Sequence, residues 1–382
     1  MKRKKLLLFI VNVDWFFISH RLPIALKALE DGYEVHLLCA ITDQAEYLAS
    51  LGLIVHPFSF SRSGKNIFNE LSCFFKLYQK IKSIKPDLVH LVTIKPVLYG
   101  GIIARIIHVP AVVSAISGLG FLFVERKGVK ARLLRNMVFF LYRLAMSHPN
   151  QRVIFQNSTD MNALVVAGGV QKEKSRMIRG SGVDLQGYPM LAEPKGIPII
   201  IMASRLLKDK GVHEFVGTAK NIKSKGVKVR FQLVGEPDYG NPESVTNEEL
   251  QSWQAEGVVE CLGYRSDIAE LFSRAHIVVL PSYYGEGLPK VLIEAAACGR
   301  AVITTEMPGC RDAIEPNVTG VIVPVRDTFT LGQEIERLMG DDALRQRMGR
   351  AGRDLAKREF SIEKVVTAHF GIYQELLVML ND

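Results

Sequence analysis

The sequence has few cysteines and no long apolar run. Its five cysteines, Cys39, Cys73, Cys261, Cys298 and Cys310, are odd in number and scattered, and no C-x-x-C pair occurs. This spacing excludes a disulfide framework and the usual zinc sites, and it predicts reduced thiols in a cytosolic protein. No apolar stretch reaches the roughly 18 residues that a membrane span needs, so any membrane contact is expected to be peripheral.

The amino-terminal sequence MKRKKLLLFIVNVDW also lacks the features of a complete signal peptide. Its apolar run stops at Asn12 and Asp14, and no small-residue cleavage site follows. A buried first strand explains the run better than a targeting segment does.

Length and pattern indicate two α/β domains. A chain of 382 residues exceeds one ordinary core. Short apolar runs alternate with helical segments, first from LLLFIV to RVIFQ and again from IPIIIMAS to GVIVP, as in parallel sheets. A Gly- and Pro-rich passage at residues 179–198 separates the two sets. We therefore predict two Rossmann-like domains, 1–190 and 191–364, that face a cleft, with a helix at 365–382 crossing back to the first domain.

Positive charge is concentrated in the first half. Residues 1–190 carry 25 Lys and Arg against 12 Asp and Glu, a net charge of +13, and the rest carries −4, which together give the chain's +9. A basic half favours an anionic partner such as phospholipid, nucleic acid or a diphosphate, although solubility alone explains the charge about as well.

The loop RLLKDKG follows a predicted strand and places Arg205 and Lys210 before a helix that begins near Val212. Two cations and a helix amino terminus together suit a diphosphate, because all of them favour anionic oxygens. Taken alone, such a pair is more often an exposed loop.

A second loop, PSYYGEGLPKVLIEAAACG, carries two glutamates eight positions apart. Glu286 lies in the predicted turn and Glu294 in the short helix that follows. With Pro289 in the first helical turn, the amides of Gly287 and Leu288 would be available to an anionic ligand. Glu294 lies among Leu, Ile and Ala residues, which favours a shielded carboxylate that accepts hydrogen bonds from a diol such as ribose over an exposed one.

These segments, with LGYRSDIAELFSRAHIVVLPS, PGCRDAIEPNVTG and KSIKPDLVHLVT, resemble the retaining glycosyltransferases of family four, which have the GT-B fold. The family signature, Glu, seven residues, Glu, is matched by Glu286 and Glu294. The resemblance is close over residues 200–325 and extends to the rest of the chain in layout. It is strongest to bacterial enzymes that extend undecaprenyl-diphosphate-linked sugars in O-antigen, capsule or glycan assembly, such as α-1,3-N-acetylgalactosaminyltransferases.

The resemblance implies a nucleotide-sugar donor, most simply a UDP-sugar, held by the second domain. Glu286 and the amides after it would contact the sugar and diphosphate, Glu294 the ribose, and Arg205 with Lys210 the leaving diphosphate. The base is expected near Gly263, Tyr264 and Arg265. No metal is expected, and the sequence has no D-x-D element. Retention through front-side attack or through a covalent intermediate on Glu286 remains open.

Candidate acceptor residues lie in the first domain. Where many relatives have a Gly-Gly loop after the first strand, this chain has NVDWFFISHRLP. His20 and Arg21 either hold an acceptor phosphate or act near the reacting hydroxyl, or else His20 only fixes the loop. Lys95 and the segment SGLGF, with Ser117 and Gly118, also follow predicted strands, and small residues there permit close approach of a sugar.

Residues 126–143, RKGVKARLLRNMVFFLYR, combine Lys and Arg with large apolar residues and contain no acidic residue. This pattern favours a helix on an anionic membrane over a core helix with a basic outer side, and the SRSGKN loop with Lys76, Lys80 and Lys82 extends the basic surface. We therefore expect a polyprenyl-diphosphate-linked sugar as acceptor and a peripheral location on the inner face of the cytoplasmic membrane. A soluble acceptor is the alternative.

Three other classes fit less well. A sugar-nucleotide epimerase shares the fold but does not ordinarily need the glutamate pair together with RLLKDKG. A nucleic-acid-binding protein would use the basic half, yet its basic segments lack interleaved aromatic residues, so no nucleic acid partner is expected. A dinucleotide oxidoreductase is disfavoured because no G-x-G-x-x-G follows the first strand.

Overall fold

The computed structural model describes residues 3–60, 67–119, 129–238 and 240–379. The chain divides into two compact units, Met1–Ser181 with Glu363–Asp382, and Gly182–Ile362. The second unit thus begins at Gly182 and ends at Ile362. The sequence pattern placed the end of the first domain at residue 190 and the end of the second at residue 364. Backbone hydrogen bonds explain the shift, because Val183 donates to Phe360 (2.8 Å) and accepts from Ile362 (3.0 Å), which ties the start of the second unit to its end.

The first unit contains a seven-stranded parallel sheet in the order β3-β2-β1-β4-β5-β6-β7. Its strands are β1 (Leu6–Val13), β2 (Glu34–Ala40), β3 (Ile54–Pro57), β4 (Leu88–Val92), β5 (Ala111–Ile116), β6 (Gln151–Phe155) and β7 (Ser175–Met177). The central strands β4, β5 and β6 are buried along their whole length, which explains their continuous apolar sequences. The short edge strand β7 was not predicted, because its residues are mostly polar.

Helices cover both faces of this sheet. They are α1 (Asp14–His20), α2 (Leu22–Glu30), α3 (Ala45–Ser50), α4 (Ile67–Ile84), α5 (Gly101–Ile106), α6 (Val129–Ala145) and α7 (Ser158–Val166), with a π-helical turn at Pro96–Gly100 and a 3₁₀ turn at Lys172–Lys174. Buried residues of α4 and α6, including Leu77, Ile81, Val138 and Tyr142, belong to one apolar cluster on one face of the sheet. These two helices therefore lie in the same layer, and both contact the π-helical turn.

The second unit contains a six-stranded parallel sheet in the order β10-β9-β8-β11-β12-β13. Its strands are β8 (Ile199–Ala203), β9 (Arg230–Val234), β10 (Glu260–Gly263), β11 (Ile277–Leu280), β12 (Ala301–Thr305) and β13 (Gly320–Val323). Its helices are α8 (Val212–Ser224), α9 (Asn247–Ala255), α10 (Ile268–Arg274), α11 (Lys290–Ala297), α12 (Pro308–Asp312), α13 (Thr328–Gly340) and α14 (Asp342–Leu355), with a 3₁₀ turn at Lys208–Lys210 and a π-helical turn at Ala356–Phe360.

The last helix, α15 (Ile362–Val378), packs on the first unit after its opening residue. Its apolar side chains, among them Val365, Phe370 and Leu376, belong to a core cluster of that unit. Polar contacts fix its position, since Tyr373 lies 2.5 Å from His90 of β4 and Glu375 pairs with Arg152 at 2.6 Å.

The predicted α/β class with two parallel sheets is confirmed. Each sheet reverses its strand order once, between β1 and β4 in the first unit and between β8 and β11 in the second. Loops at the carboxyl ends of these neighbouring strands diverge and leave a binding crevice in open α/β sheets. Both loops singled out around Arg205 and Glu286 follow the pair β8 and β11.

Candidate active site

Two loops of the second unit are joined by hydrogen bonds at this reversal point. The backbone oxygen of Asp209, after β8, accepts from the amides of Tyr283 and Tyr284, after β11, at 2.9 and 3.1 Å. Gly211 lies against Pro281 so closely that an added Cβ would be 2.2 Å from the Pro281 oxygen, and its φ is +82°. The glycine of RLLKDKG is therefore needed both for its backbone conformation and for the close approach of the two loops.

Lys210 and Glu286 form an ion pair between these loops. Their side chains are only 13% and 12% exposed, so both charges are largely removed from water. The hydroxyl of Ser282 donates to the same Glu286 oxygen at 3.2 Å, and the Lys210 ammonium lies 5.2 Å from the centre of the Tyr284 ring. The first signature glutamate, Glu286, is thus held by a cation and a hydroxyl group.

Arg205 is the more exposed of the two predicted cations. Its guanidinium is 3.3 Å from the Asp238 carboxylate, and its side chain is about half exposed. Asp209 is partly buried, and burial raises the pKa of its carboxyl, an effect that the charges of Lys210 and Arg205 oppose. One oxygen of this carboxyl has no hydrogen-bond partner among the residues described. Arg205, Asp209, Lys210 and Glu286 therefore form one electrostatically coupled cluster.

Glu294 lies in α11, the helix that follows the turn. It is 8% exposed, and burial raises the pKa of its carboxyl. The Tyr188 hydroxyl donates to its Oε1 at 2.8 Å, and the Lys290 ammonium is 3.4 Å from the same oxygen. The prediction of a shielded Glu294 is confirmed.

The turn before α11 differs from the prediction in one respect. Pro289 is the N-cap residue, with φ −62° and ψ 121°, and the helix begins only at Lys290. Gly287 and Leu288, expected to offer free amides, are buried and already make contacts. Gly309 at the start of α12 packs on this turn, since an added Cβ would lie 2.4 Å from the Gly287 oxygen.

The loop assigned to the base follows β10, an edge strand two positions from β8. Tyr264 is 73% exposed, so its ring is accessible to a planar ligand. Arg265 donates to Asp267 at 2.7 Å, and Gly263 accepts from the Gly235 amide at 2.8 Å.

The predicted acceptor residues of the first loop have different environments. His20 ends α1, its ring is stacked on Phe16 with centroids 4.1 Å apart, and its Nδ1 lies 3.2 Å from the Phe16 oxygen. Arg21 is only 2% exposed, and one of its nitrogens donates to the His20 oxygen at 2.8 Å. Burial lowers the pKa of Arg21 to about 10. The buried Arg21 therefore has little surface for the predicted contact with an acceptor phosphate, and the stacking of His20 on Phe16 fits the alternative that His20 fixes the loop.

The other acceptor candidates follow β4 and β5. Lys95 precedes the π-helical turn and pairs with Glu70 of α4 at 2.8 Å, so its charge is compensated. Ser117 has a buried hydroxyl without a hydrogen-bond partner among the described residues, and Gly118 has a φ of +118°. Leu119 of SGLGF is buried, whereas residues 120 and 121, residues 126–128 and the SRSGKN loop lie outside the described residues.

Both units match known family models. The model of glycosyl transferases group 1 matches residues 189–355, and that of the glycosyl transferase 4-like family matches residues 6–157. A Campylobacter jejuni protein named N,N'-diacetylbacillosaminyl-diphospho-undecaprenol alpha-1,3-N-acetylgalactosaminyltransferase is 32% identical over 86% of this chain and 90% of its own. The chain is a group 1 glycosyltransferase.

More distant relatives extend the comparison. An Escherichia coli UDP-Gal:alpha-D-GlcNAc-diphosphoundecaprenol alpha-1,3-galactosyltransferase is 23% identical to this glycosyltransferase over 82% of the chain and 81% of its own. The crystal structure of Anabaena Alr3699/HepE in complex with UDP superposes with a TM-score of 0.76 at 19% identity, over 97% of this chain and all of that one. This similarity confirms the predicted GT-B fold of the glycosyltransferase.

Three polar groups of the glycosyltransferase that touch or flank the glutamates were not predicted, namely Tyr188, Asp209 and Ser282. Asp209 lies in the RLLKDKG motif and Ser282 in the PSYYGEG turn, so their closeness in sequence to Arg205 and Glu286 could have indicated them. Tyr188 lies 106 residues before Glu294 in the chain, and nothing in the local pattern links the two.

The described part of the glycosyltransferase contains neither a metal-binding cluster nor a membrane-spanning helix. No cluster of three or more His, Cys, Asp or Glu side chains that could hold a metal ion occurs there. Among the helices described, none has both the length and the apolarity needed to cross a bilayer.

Proposed function

We propose that this glycosyltransferase transfers a hexose or N-acetylhexosamine from a UDP-sugar to a polyprenyl-diphosphate-linked sugar, with retention of anomeric configuration. The observation that carries the proposal is the 32% identity to the Campylobacter jejuni transferase. The alignment spans 86% of the chain, so it includes the unit in which we expect the acceptor to bind as well as the donor motifs. The names of that relative and of the Escherichia coli enzyme both specify a diphosphate-linked undecaprenol acceptor.

The donor is assigned to the second unit. Glu286 and the turn Gly287, Leu288 and Pro289 would bind the sugar and diphosphate, and Glu294 would accept hydrogen bonds from the ribose. Arg205 and Lys210 would neutralise the leaving diphosphate, without a metal ion. The base would lie against the exposed Tyr264 ring between Gly263 and Arg265.

The contacts of Glu286 favour front-side attack over a covalent intermediate. A carboxylate paired with Lys210 and hydrogen-bonded to Ser282 is a weakened nucleophile, because both contacts stabilise its negative charge. In the proposed step, the acceptor oxygen bonds to the anomeric carbon on the face from which the diphosphate leaves. The bond between that carbon and the diphosphate oxygen breaks, and the acceptor proton passes to a phosphate oxygen. A bound diphosphate would compete with Glu286 for the Lys210 ammonium.

Helix α6 supplies the proposed contact with an anionic membrane. Leu133, Met137, Phe140 and Leu144 are 70%, 53%, 58% and 39% exposed, and their spacing of four, three and four places them on one stripe. A row of large apolar side chains with this degree of exposure is typical of an interaction surface. The exposed Arg132, Arg135 and Arg143 lie on the same helix, as is typical of helices that rest on anionic lipid.

Helix α4, in the same layer, exposes a second such stripe. Phe68, Leu71 and Phe75 are 79%, 52% and 62% exposed at a spacing of three and four. The exposed Lys76, Lys80 and Lys82 follow on this helix. The two helices together would provide a broader basic and apolar face than α6 alone.

A groove of about 530 Å³ beside α6 is a candidate site for the acceptor diphosphate. Its lining includes Arg135 and Arg143, two helical turns apart, with Phe139 between them and Leu119 from the segment after β5. Guanidinium groups suit phosphate oxygens, and the aromatic and aliphatic lining suits the start of a polyprenyl chain. Ser117 and Gly118 lie two and one residues before Leu119.

The transfer reaction is tested by UDP release from a panel of UDP-sugars, each with and without an undecaprenyl-diphosphate-linked sugar, in the presence and absence of EDTA. We expect release that requires the acceptor, occurs with one donor and withstands EDTA. Release without acceptor would indicate hydrolysis or an epimerase. Loss of activity in EDTA, restored by a divalent cation, would contradict the metal-free role of Arg205 and Lys210.

The membrane contact is tested by flotation with vesicles of phosphatidylcholine alone or mixed with phosphatidylglycerol. We expect the protein to float with the anionic vesicles and Phe140→Ser to reduce the floating fraction. Phe329→Ser is the matched control, because Phe329 is 71% exposed but belongs to the second unit. Equal loss in both variants, or no preference for anionic vesicles, would contradict the assignment of α6.

A further inference from the structure

We propose that Tyr188 is a positioning residue for Glu294, its hydroxyl fixing the carboxylate in one orientation as the acceptor for the ribose diol. This inference rests on the proposed function, because it assumes that Glu294 binds the ribose. It adds a residue that lies outside the two signature loops, in the segment that leads into β8.

The contact itself is short and shielded. The Tyr188 hydroxyl donates to Oε1 of Glu294 at 2.8 Å, and the carboxylate is among the few charged groups buried in the second unit. Lys290 approaches the same oxygen at 3.4 Å. With Oε1 engaged by both groups, the other carboxylate oxygen is the one that can accept both hydroxyls of a diol.

The backbone that carries Tyr188 is held against α11. Arg353 of α14 donates to three carbonyl oxygens, those of Leu185 (3.0 Å), Tyr188 (2.7 Å) and Ala297 (2.6 Å). One guanidinium thus ties the Tyr188 segment to the carboxyl end of the helix that contains Glu294. The Tyr188 amide also donates to the Asp184 oxygen at 3.0 Å. The tyrosine is therefore a fixed part of the second unit.

In this pair the Tyr188 hydroxyl always acts as the hydrogen-bond donor and the Glu294 carboxylate as the acceptor. Burial, reinforced by Glu294, raises the pKa of Tyr188 well above its ordinary value, so the phenol stays protonated wherever the enzyme is folded. A donated hydrogen bond stabilises the ionised carboxylate and opposes the burial that raises the pKa of Glu294. Hydrogen bonds from ribose hydroxyls to an ionised carboxylate are stronger than those to the neutral acid, so Tyr188 should extend donor binding to lower pH.

Other charged and titratable groups near the pair come from three parts of the unit. Lys290 lies on α11 itself and Cys298 at its carboxyl end, where burial raises the pKa of the thiol to about 12. Asp184 lies in the segment of Tyr188, and Arg353 lies on α14. Lys290 is the only one of these groups that the carboxylate contacts in the residues described, so Tyr188→Phe removes one of two charge-stabilising contacts.

The test is UDP affinity, measured by calorimetry on the full chain between about pH 5 and 8, for wild type and four variants, Tyr188→Phe, Glu294→Gln, their combination and Tyr33→Phe. The last removes a phenol from the first unit and is the control. Affinities are compared as ratios to wild type at each pH, because titration of the UDP phosphate is common to all. One lost hydrogen bond to a charged group predicts that the acid decline of Tyr188→Phe begins about one pH unit higher.

The outcomes separate the inference from the proposed function. We expect Tyr188→Phe to lose affinity increasingly toward acid pH, Glu294→Gln to be weak throughout, and the combined variant to bind no worse than Glu294→Gln. A Tyr188→Phe profile that follows wild type while Glu294→Gln is weak would overturn the inference alone. Additive losses in the combined variant would also overturn it, because Tyr188 would then act independently. Wild-type affinity of Glu294→Gln would overturn the proposed ribose contact and the inference with it.

Discussion

Replacing Lys210 with Met tests the two roles of its ammonium group, one in stability and one in catalysis. The side chain neutralises Glu286 in a site where both groups are nearly buried, and we propose that it also stabilises the leaving diphosphate. Met keeps much of the length and apolar surface of Lys and removes only the charge. The variant therefore leaves Glu286 as a shielded carboxylate without its cation.

The expected magnitudes follow from this burial. Removing one partner of a fully buried ion pair costs about 3–5 kcal/mol. We expect about 2–3 kcal/mol here, since Ser282 still donates to Glu286 and both side chains keep some exposure. For a unit of this size that corresponds to a Tm lower by roughly 5–10 °C. Loss of one charged group at the leaving diphosphate predicts a kcat lower by about 10²–10³.

The assay combines calorimetric unfolding with acceptor-dependent UDP release at saturating donor. Lys210→Met with Glu286→Gln is the diagnostic combination, because it removes both charges together. We expect the combined variant to regain most of the lost Tm and to remain inactive. The contribution of the ion pair to stability would then be distinguished from the contribution of the Lys210 ammonium to turnover.

Two results would refute this reasoning. We expect kcat of Lys210→Met to fall by ~10² or more. A kcat within about threefold of wild type would show that the ammonium does not act on the leaving group. A combined variant that is less stable than Lys210→Met alone would show that the pairing with Glu286 is not what stabilises the loops.

Further outcomes are expected at other positions. Arg205→Ala should lower kcat by about tenfold to a hundredfold with an unchanged Tm, because its half-exposed guanidinium contributes little to stability; a lowered Tm would contradict this. Gly309→Ala should lower kcat/KM at least about tenfold, since the added methyl meets a backbone oxygen of the opposite turn 2.4 Å away and must displace it; unaltered kinetics would count against the importance of that turn. Cys39, Cys298 and Cys310, whose pKa burial raises to about 12, should resist iodoacetamide at pH ~8 in the folded protein and react after denaturation, as followed by mass spectrometry. Rapid labelling of the native protein would contradict their burial.

Most of the architecture could be predicted because its signals are local. The central strands are buried along their length, so continuous apolar runs such as DLVHLV and HIVVLPS predict them directly. The edge strand β7 is mostly polar and has no such run. The two loops of the proposed donor site could be predicted to lie together, because β8 and β11 are neighbours at the point where the strand order of the sheet reverses.

What could not be predicted depends on contacts between distant residues. The positions of Lys95 and Arg21 after strands predict acceptor contacts, but the pairing of Lys95 with Glu70 and the burial of Arg21 cannot be read from the sequence. The pairing of Lys210 with Glu286 and the contact of Tyr188 with Glu294 join residues 76 and 106 positions apart. Such pairs follow from packing rather than from any spacing in the sequence.

The most direct test of the proposed reaction is analysis of the product formed from a UDP-sugar and an undecaprenyl-diphosphate-linked sugar. We expect mass spectrometry to show the acceptor heavier by one hexose or N-acetylhexosamine residue, and NMR of the new anomeric proton to show the configuration of the donor. An unmodified acceptor with an epimerised UDP-sugar, or a product of inverted configuration, would contradict the account.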